Sequence, residues 1–105
     1  MVRRVAPTVT RRVRVGRHRW TIRYVRDLEA RVADRMRLED DRDLHGVTLH
    51  DRREILIGSR YSEPTRTETL VHELLHAAMP RFTEGTVRAL AARITPALRR
   101  YGLRG

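Results

Sequence analysis

The sequence predicts an α+β domain in which a small antiparallel sheet of two hairpins packs on two C-terminal helices. Three observations lead to this prediction. Two pairs of short apolar-rich runs are each separated by a turn signal, a segment of strong helix formers ends at Pro80, and a second helical stripe follows that proline. The chain has 105 residues, which is the size of one domain. We therefore predict a basic arm at residues 1–10 and a single domain at residues 11–105.

In the first predicted hairpin, apolar residues alternate with polar ones along both runs, and in the second hairpin Ile55 and Ile57 share one face of their strand. The strands are predicted at residues 11–15, 20–25, 47–50 and 54–58. The turn Gly16-Arg17-His18 joins the first two strands, and the charged turn at residues 51–53 joins the last two. Because successive side chains of a strand point to opposite faces, this alternation predicts a sheet with an apolar, buried side.

A short helix is predicted between the two hairpins. Its apolar residues are spaced three, four and four positions apart, as on one face of a helix, and they are Val25, Leu28, Val32 and Met36. Asp27 is a suitable N-cap for this helix. The acidic run Glu39–Asp43 that follows is predicted to be a solvated turn.

A longer helix, which we call the motif helix, is predicted after the second hairpin. Thr65 and Glu68 match a capping box, in which a threonine at the N-cap is followed three residues later by a glutamate. Strong helix formers continue to Met79, and Pro80 ends the helix because proline has no N–H to donate.

The final helix is predicted to begin after Thr83, a suitable N-cap. Its apolar residues recur at helical spacing and are Val87, Leu90, Ala91, Ile94, Leu98 and Tyr101. We expect Pro96 to kink or restart this helix and Gly102 to end it.

The charge of the chain is strongly positive and unevenly distributed. The net charge is +10, and arginine supplies all 23 basic residues. Residues 1–26 contain nine arginines and residues 85–105 contain five, and neither segment contains an acidic residue. Such a surface favours contact with polyanions such as nucleic acid, although it can equally serve to keep the protein in solution. No helix-turn-helix, zinc-finger or aromatic-rich RNA-binding motif accompanies this charge.

The composition excludes several classes of protein. The absence of cysteine excludes a disulfide scaffold, a thiolate metal site, an iron–sulfur cluster and a cysteine nucleophile. No stretch approaches the ~18 apolar residues of a membrane span. The basic N-terminus is not followed by the apolar run of a signal peptide. We therefore expect a cytoplasmic protein that does not associate with membranes.

The segment His72-Glu73-Leu74-Leu75-His76 gives the strongest chemical signal. His72 and His76 lie four residues apart on a predicted helix, so both imidazoles share one face and can bind one tetrahedral ion. Glu73 can reach a water on that ion without being a ligand. The alternative is that both histidines are ordinary exposed residues on a polar helix face. The pattern predicts a Zn²⁺ site.

A catalytic zinc site needs a third protein ligand. Beyond His76 the chain contains no His, Asp or Cys, and Glu84 is its last carboxylate. A turn through Pro80 would bring the final helix back beside the motif helix and present Glu84 to the metal. Alternatively, Glu84 is simply an acid favoured by the positive end of a helix. The other candidate ligands lie upstream and are His50, Asp51, Glu63 and Glu68.

Residues 66–95 resemble the active-site region of gluzincins, which are zinc peptidases with a His-Glu-x-x-His motif and a glutamate ligand on a following helix. The small single-domain versions, namely minigluzincins and phage-encoded metallopeptidases, are the most similar. The resemblance implies that His72, His76 and Glu84 bind zinc and that Glu73 is the general base. It also implies that the motif helix is the active-site helix of a metallopeptidase domain and that the final helix is its glutamate helix.

One position departs from the larger gluzincins, which often have an acid four residues after the ligand glutamate. Here that residue is Arg88, so a hydrogen-bond partner for a ligating histidine must come from elsewhere. The reaction also needs a donor for the developing oxyanion, and the candidates besides a nearby arginine are Tyr61, Tyr101 and His50. The family further implies that Ile55–Ser59 is an edge strand that pairs with an extended peptide, the alternative being an ordinary internal strand.

Together these features predict a zinc metallopeptidase that hydrolyses peptide bonds through a zinc-activated water. A peptide or protein is the expected substrate, and we expect the protein to be a monomer. The alternative is a basic nucleic-acid-associated protein with a structural or vestigial zinc site, and nucleic acid would then bind the basic surface. A structural zinc site normally has four protein ligands, whereas three good candidates are found here.

Overall fold

The computed structural model describes residues 9–32 and 44–102, and it confirms the predicted α+β class and the order of the elements. The strands are β1 (Val9–Val15), β2 (His18–Val25), β3 (Gly46–Leu49) and β4 (Glu54–Gly58). The helices are α1 (Leu28–Val32), α2 (Glu63–Ala78) and α3 (Glu84–Arg100). Residues 1–8 of the predicted arm, Met36 and the predicted turn Glu39–Asp43 lie outside the described residues. Within the described ranges, no helix is long and apolar enough to cross a membrane.

The four strands form one sheet in the order β1-β2-β4-β3. Both predicted antiparallel hairpins are present, but β2 and β4 pair in parallel, so the sheet is mixed rather than antiparallel. Parallel neighbours require a crossover, and the segment containing α1 connects β2 to the second hairpin. The prediction that Ile55–Ser59 forms an edge strand is wrong, because β4 lies between β2 and β3. The edge strands are β1 and β3.

The sheet carries an apolar core on each face because β4 is apolar on both sides, as interior strands commonly are. The core beneath α2 consists of Trp20, Ile22, Ile55 and Ile57, packed by Leu70, Leu74 and Ala77 of the helix. The core on the opposite face consists of Val25, Leu28, Val32, Val47 and Leu56. The two faces are therefore covered by different helices, α2 on one and α1 on the other.

The hairpin of β1 and β2 turns at Gly16, whose φ of +62° lies in the left-handed region that favours glycine. A glycine at the first position of a two-residue loop matches the right-handed twist of the flanking strands. Strand β1 begins two residues earlier than predicted, because Val9 and Thr10 pair with Tyr24 and Arg23. The last two residues of the predicted arm thus belong to the sheet.

Helix α2 begins earlier than the capping box predicts. Its N-cap is Ser62, whose hydroxyl accepts a hydrogen bond from the N–H of Thr65. Pro64 occupies the first turn, where its missing N–H costs nothing. Thr65 and Glu68 therefore lie inside the helix rather than at its boundary, and Ser62 supplies the cap that was assigned to Thr65.

Helix α3 begins after Thr83, as predicted, and the hydroxyl of Thr83 accepts from the N–H of Thr86. The helix continues through Pro96 without restarting. Its buried residues are spaced four apart and are Val87, Ala91 and Thr95. Helix α3 packs against α2. Gly102 follows the helix with φ +84°, in the predicted terminating role.

An ion pair fixes the direction in which α3 returns along α2. Arg99, near the end of α3, donates to the carboxylate of Glu63, the first residue of α2, at 2.6 Å. The two helices are therefore antiparallel, and the start of α3 lies beside the C-terminal half of α2. Glu84 is brought next to the two histidines of the motif by this arrangement.

Candidate metal centre

Two histidines of α2 direct their ring nitrogens to a common point. The Nε2 atoms of His72 and His76 lie 3.2 Å apart, and their ring planes are inclined by 62°. The sheet-facing residues of α2 lie on the opposite side of the helix and are Leu70, Leu74 and Ala77. Because those residues pack against the sheet, both imidazoles point away from the sheet.

Glu84 reaches both histidines from the start of α3. Its Oε1 lies 2.7 Å from Nε2 of His72, and its Oε2 lies 2.7 Å from Nε2 of His76. Burial raises the pKa of Glu84, but the two neighbouring histidines outweigh it and bring that pKa below its ordinary value. Burial lowers the pKa of His72, while Glu84 opposes the shift. These directions favour the ionised carboxylate and the neutral imidazole of His72, which are the forms that bind metals.

The spacing of the three side chains fits a small divalent ion. A tetrahedral zinc site with bonds of about 2.0–2.1 Å places neighbouring ligand atoms about 3.3–3.5 Å apart. The two imidazole nitrogens are already 3.2 Å apart. The carboxylate oxygens are closer, at 2.7 Å, but the Glu84 side chain is 56% exposed and has room to move outward by less than an ångström. Two imidazoles and a carboxylate are also a donor set that zinc accepts.

Glu73 is buried beside the histidines, on the side of α2 that faces β3. Glu73 is only 6% exposed. The hydroxyl of Thr48 lies 3.1 Å from Oε1 of Glu73 and 3.1 Å from its backbone oxygen. Burial raises the pKa of Glu73 to about 7, although the Thr48 hydroxyl acts in the opposite direction. A carboxylate with a pKa near neutrality is suited to take up and release a proton.

Gly46 allows β3 to approach α2 closely enough for this contact. A Cβ at Gly46 would lie 2.5 Å from Cγ2 of Thr69 and 3.2 Å from Cγ of Glu73. Distances below 3.0 Å are essentially never seen for a real Cβ, so no larger residue fits without a shift. Gly46 therefore allows the edge strand β3 to lie directly against the buried side chain of Glu73.

The elements α2, α3 and β3 thus bring the histidine pair, Glu84 and Glu73 together. The chain matches no protein-family model, no curated protein and no solved structure. The assignment of the site consequently depends on its own geometry. One ligand atom from each of His72, Glu73 and His76 lies within 4.8 Å of the other two, so these three residues can also hold a metal ion. Glu84 is the better placed carboxylate, because its oxygens lie 2.7 Å from both imidazole nitrogens.

An open cleft of about 450 Å³ lies directly beside the candidate metal centre. Its lining residues come from the start of β3, from one side of α2 and from the start of α3, and they are His45, Gly46, Thr65, Glu68, Thr69, His72, Glu73, Glu84 and Arg88. The guanidinium of Arg88 lies 3.9 Å from Oε1 of Glu84. A molecule in the cleft would therefore meet the three carboxylates Glu68, Glu73 and Glu84 and the guanidinium group of Arg88.

The three residues considered as oxyanion donors do not line this cleft. Tyr61 donates its hydroxyl to the backbone oxygen of Leu44 at 3.4 Å. Tyr101 is 89% exposed at the far end of α3 from Glu84, about 25 Å along the helix axis. His50 packs edge-on against the Trp20 ring, with 5.8 Å between centroids.

The structure also shows where the upstream candidates for the third ligand lie. Glu63 is paired with Arg99. His50 and Asp51 lie in the turn between β3 and β4 and do not line the cleft. Glu68 does line the cleft, one turn before His72, but Glu84 makes the direct contacts with both imidazole nitrogens.

Two residues of the site were missed by sequence reasoning, His45 and Thr48. His45 lines the cleft immediately before Gly46, and Thr48 holds Glu73. Gly46 and Thr48 are two residues apart on one strand and so share a face. A glycine and a hydroxyl residue on the same face of a short strand were a weak signal of close contact with a helix.

The raised pKa of Glu73 predicts a pH-dependent cost to the stability of the metal-free chain. The folded-state pKa is about 7 and the ordinary value is 4.5, so the folded chain binds the proton more tightly and loses stability as pH rises between those values. Glu73→Gln stays neutral and escapes this loss. After chelator treatment, we expect Glu73→Gln to exceed the native chain in stability by about 3 kcal/mol at pH 8 and by little at pH 4.

Thermal or urea unfolding at the two pH values measures this difference. Glu68→Gln, which removes an exposed carboxylate from the same helix, is the matched control and should change little at either pH. Equal stability of Glu73→Gln and the native chain at pH 8 would contradict the burial of an ionisable Glu73.

Proposed function

We propose that the protein is a zinc-dependent peptidase in which His72, His76 and Glu84 bind the metal and Glu73 is the general base. One observation carries the proposal. Three metal-binding side chains converge within 3.2 Å of one another at the wall of an open cleft, beside a buried carboxylate. A structural site would instead enclose its ion with a fourth protein ligand.

Each of these side chains has a separate role in the proposed reaction. Zinc, when bound, supplies a Lewis acid that polarises a carbonyl and lowers the pKa of water. Glu73 accepts the proton of the attacking water and delivers it to the leaving amine. Thr48 holds the Glu73 carboxylate in place through its hydroxyl. Arg88 and His45 are the cationic or hydrogen-bonding groups in the cleft that can face the developing oxyanion.

The edge strand β3 offers a place for an extended substrate. Its inner edge pairs with β4, and its outer edge pairs with no strand among the described residues. A peptide that added to this edge would use main-chain hydrogen bonds and would run past Gly46 into the cleft. We therefore assign to β3 the peptide-pairing role that the resemblance to gluzincins implied for Ile55–Ser59.

Peptide hydrolysis by the zinc-loaded protein is the direct test of this proposal. The purified chain is loaded with zinc and incubated with an unstructured protein such as casein, and new peptide termini are counted by mass spectrometry. We expect cleavage that a chelator abolishes and that added zinc restores. Stoichiometric zinc binding without cleavage of casein or of a diverse peptide library would contradict the peptidase and favour a structural zinc.

The role of Glu84 is tested by zinc affinity. Glu84→Ala should weaken zinc binding by at least about 10–100-fold, because it removes a carboxylate that contacts both histidines. It should also lower the thermal midpoint in the presence of zinc, since metal binding is coupled to folding. Glu68→Ala is the matched control, a carboxylate of the same cleft that should leave affinity unchanged. Unchanged affinity in Glu84→Ala would move the third ligand elsewhere.

A further inference from the structure

The hairpin of β1 and β2 concentrates positive charge that the metal centre does not use. Between residues 9 and 25 there are six arginines and no acidic residue. All but Arg23 are exposed. Arg23 donates to the Glu54 carboxylate at 3.0 Å, so it is the arginine of this hairpin that has an acidic partner among the described residues.

The strand register gathers four of these arginines on one face of the hairpin, and all of them except Arg23 lack an acidic partner among the described residues. Arg14 lies directly opposite Arg19, and Arg12 lies directly opposite Thr21. Because residues two apart in a strand share a face, Arg12, Arg14 and Arg19 point to the same side of the sheet as Arg23. We call Arg12, Arg14 and Arg19 the arginine face. Arg17, in the turn, extends the charge to the tip of the hairpin.

This arrangement has an electrostatic cost. Directly opposite residues of an antiparallel pair have Cβ atoms about 4.5–5.5 Å apart, and like charges in such positions are destabilising. Arg14 and Arg19 are such a pair. Neither they nor Arg12 form an ion pair with any residue that the structure describes. Among the described residues no acid neutralises these three charges, and a bound polyanion would do so.

The arginine face and the candidate metal centre lie on opposite sides of the sheet. Val13 and Val15 of β1 point to the side of α2, where the histidines and the cleft are found. The arginines alternate with these valines along β1 and therefore point the other way. A large ligand can consequently lie on the arginine face without closing the cleft.

We propose that the β1–β2 hairpin binds double-stranded DNA by contacting its backbone phosphates with the arginine face. Beyond the start of β4 the hairpin is a two-stranded ribbon from Val13 to Trp20. Such a ribbon fits the major groove of B-form DNA, whereas the major groove of A-form RNA is too narrow for side chains to enter. The guanidinium group of arginine can donate two parallel hydrogen bonds to the oxygens of one phosphate. Single-stranded nucleic acid is less well matched, since it binds through exposed aromatic side chains and Trp20 is only 5% exposed.

The competing explanation is that any basic surface of a chain with net charge +10 binds DNA equally well. Two triple variants with the same loss of charge separate the two explanations. The first is Arg12→Gln/Arg14→Gln/Arg19→Gln on the hairpin. The second places three Gln substitutions at exposed arginines outside it, namely Arg52, Arg93 and Arg100. Because the first variant removes a like-charge pair, it should fold at least as well as the native chain, which circular dichroism checks.

The experiment measures binding of a fluorescent 20-base-pair DNA duplex by anisotropy from 50 to 300 mM salt. We expect the hairpin variant to bind at least about tenfold more weakly and to lose about 2–3 from the slope of log affinity against log salt, since each phosphate contact contributes about 0.9. The control variant should change both quantities much less. Equal losses in the two variants, tighter binding of the corresponding single strand, or no binding by the native chain would each overturn the proposal. The result does not depend on zinc, so it is separate from the test of the peptidase.

Discussion

Glu73→Gln is expected to lower the rate of peptide hydrolysis by about 10²–10⁴-fold while zinc stays bound. The amide has the shape of the carboxylate and can still contact the Thr48 hydroxyl, but it cannot accept the proton of the attacking water. Glu73 contributes no ligand in the proposed site, so the metal affinity should be nearly unchanged. Initial rates on a cleaved peptide and zinc titration of the same preparations measure both effects.

Two controls make this result specific to Glu73. Glu68→Gln removes another carboxylate from the same cleft, and its rate should stay near that of the native chain. Thr48→Val removes the hydroxyl that holds Glu73 while preserving volume, and it should lower the rate less than Glu73→Gln does. An undiminished rate in Glu73→Gln would reject Glu73 as the general base.

Replacing both His72 and His76 with Ala is expected to abolish zinc binding. The two ring nitrogens face each other at 3.2 Å, and no neighbouring side chain on α2 can take over from both. Zinc content of the purified chains, measured by mass spectrometry of the metal, should fall from one ion per chain to none. The zinc-dependent increase in thermal midpoint should disappear with it.

His50→Ala is the matched control for the histidine variants. His50 packs against Trp20 in the turn after β3 and has no contact with the histidine pair. It should keep one zinc ion per chain. Full retention of zinc in the double variant of His72 and His76 would contradict the proposed centre, whatever the behaviour of the control.

The sequence was sufficient to predict the hairpins but not the way they join. Alternation of apolar residues and the turn at Gly16 depend on neighbours along the chain, so they can be read locally. Which strand of the second hairpin pairs with β2 depends on a crossover between distant segments. The continuous apolar run Ile55-Leu56-Ile57 was the local sign of an interior strand, because burial on both faces removes the alternation.

The start of α2 could not be decided by a capping pattern alone. Thr65 and Glu68 match the capping box, yet Ser62 forms the cap that is observed. Pro64 was the deciding residue, since proline is well tolerated in the first turn of a helix. Both interpretations place His72 and His76 at the same positions on the helix, so the error did not affect the candidate site.

The candidate site was only partly predictable for a similar reason. The spacing of His72 and His76 is a local property of one helix, and the composition after His76 left few acids to consider. The burial of Glu73, its contact with Thr48 and the position of His45 arise from packing between β3 and α2, which no local pattern specifies. Tyr101 was a poor candidate for the same reason, because the antiparallel helices place it far from Glu84.

X-ray absorption at the zinc edge of the zinc-loaded protein is the decisive test of the proposed metal centre. We expect a four-coordinate ion with two imidazole nitrogens at about 2.0–2.1 Å and oxygen ligands at about 2.0–2.2 Å. The imidazole contribution should be lost from the spectrum when His72 and His76 are both replaced. A six-coordinate shell of oxygen alone, or a spectrum that the double replacement leaves unchanged, would contradict a metal centre built on these two histidines.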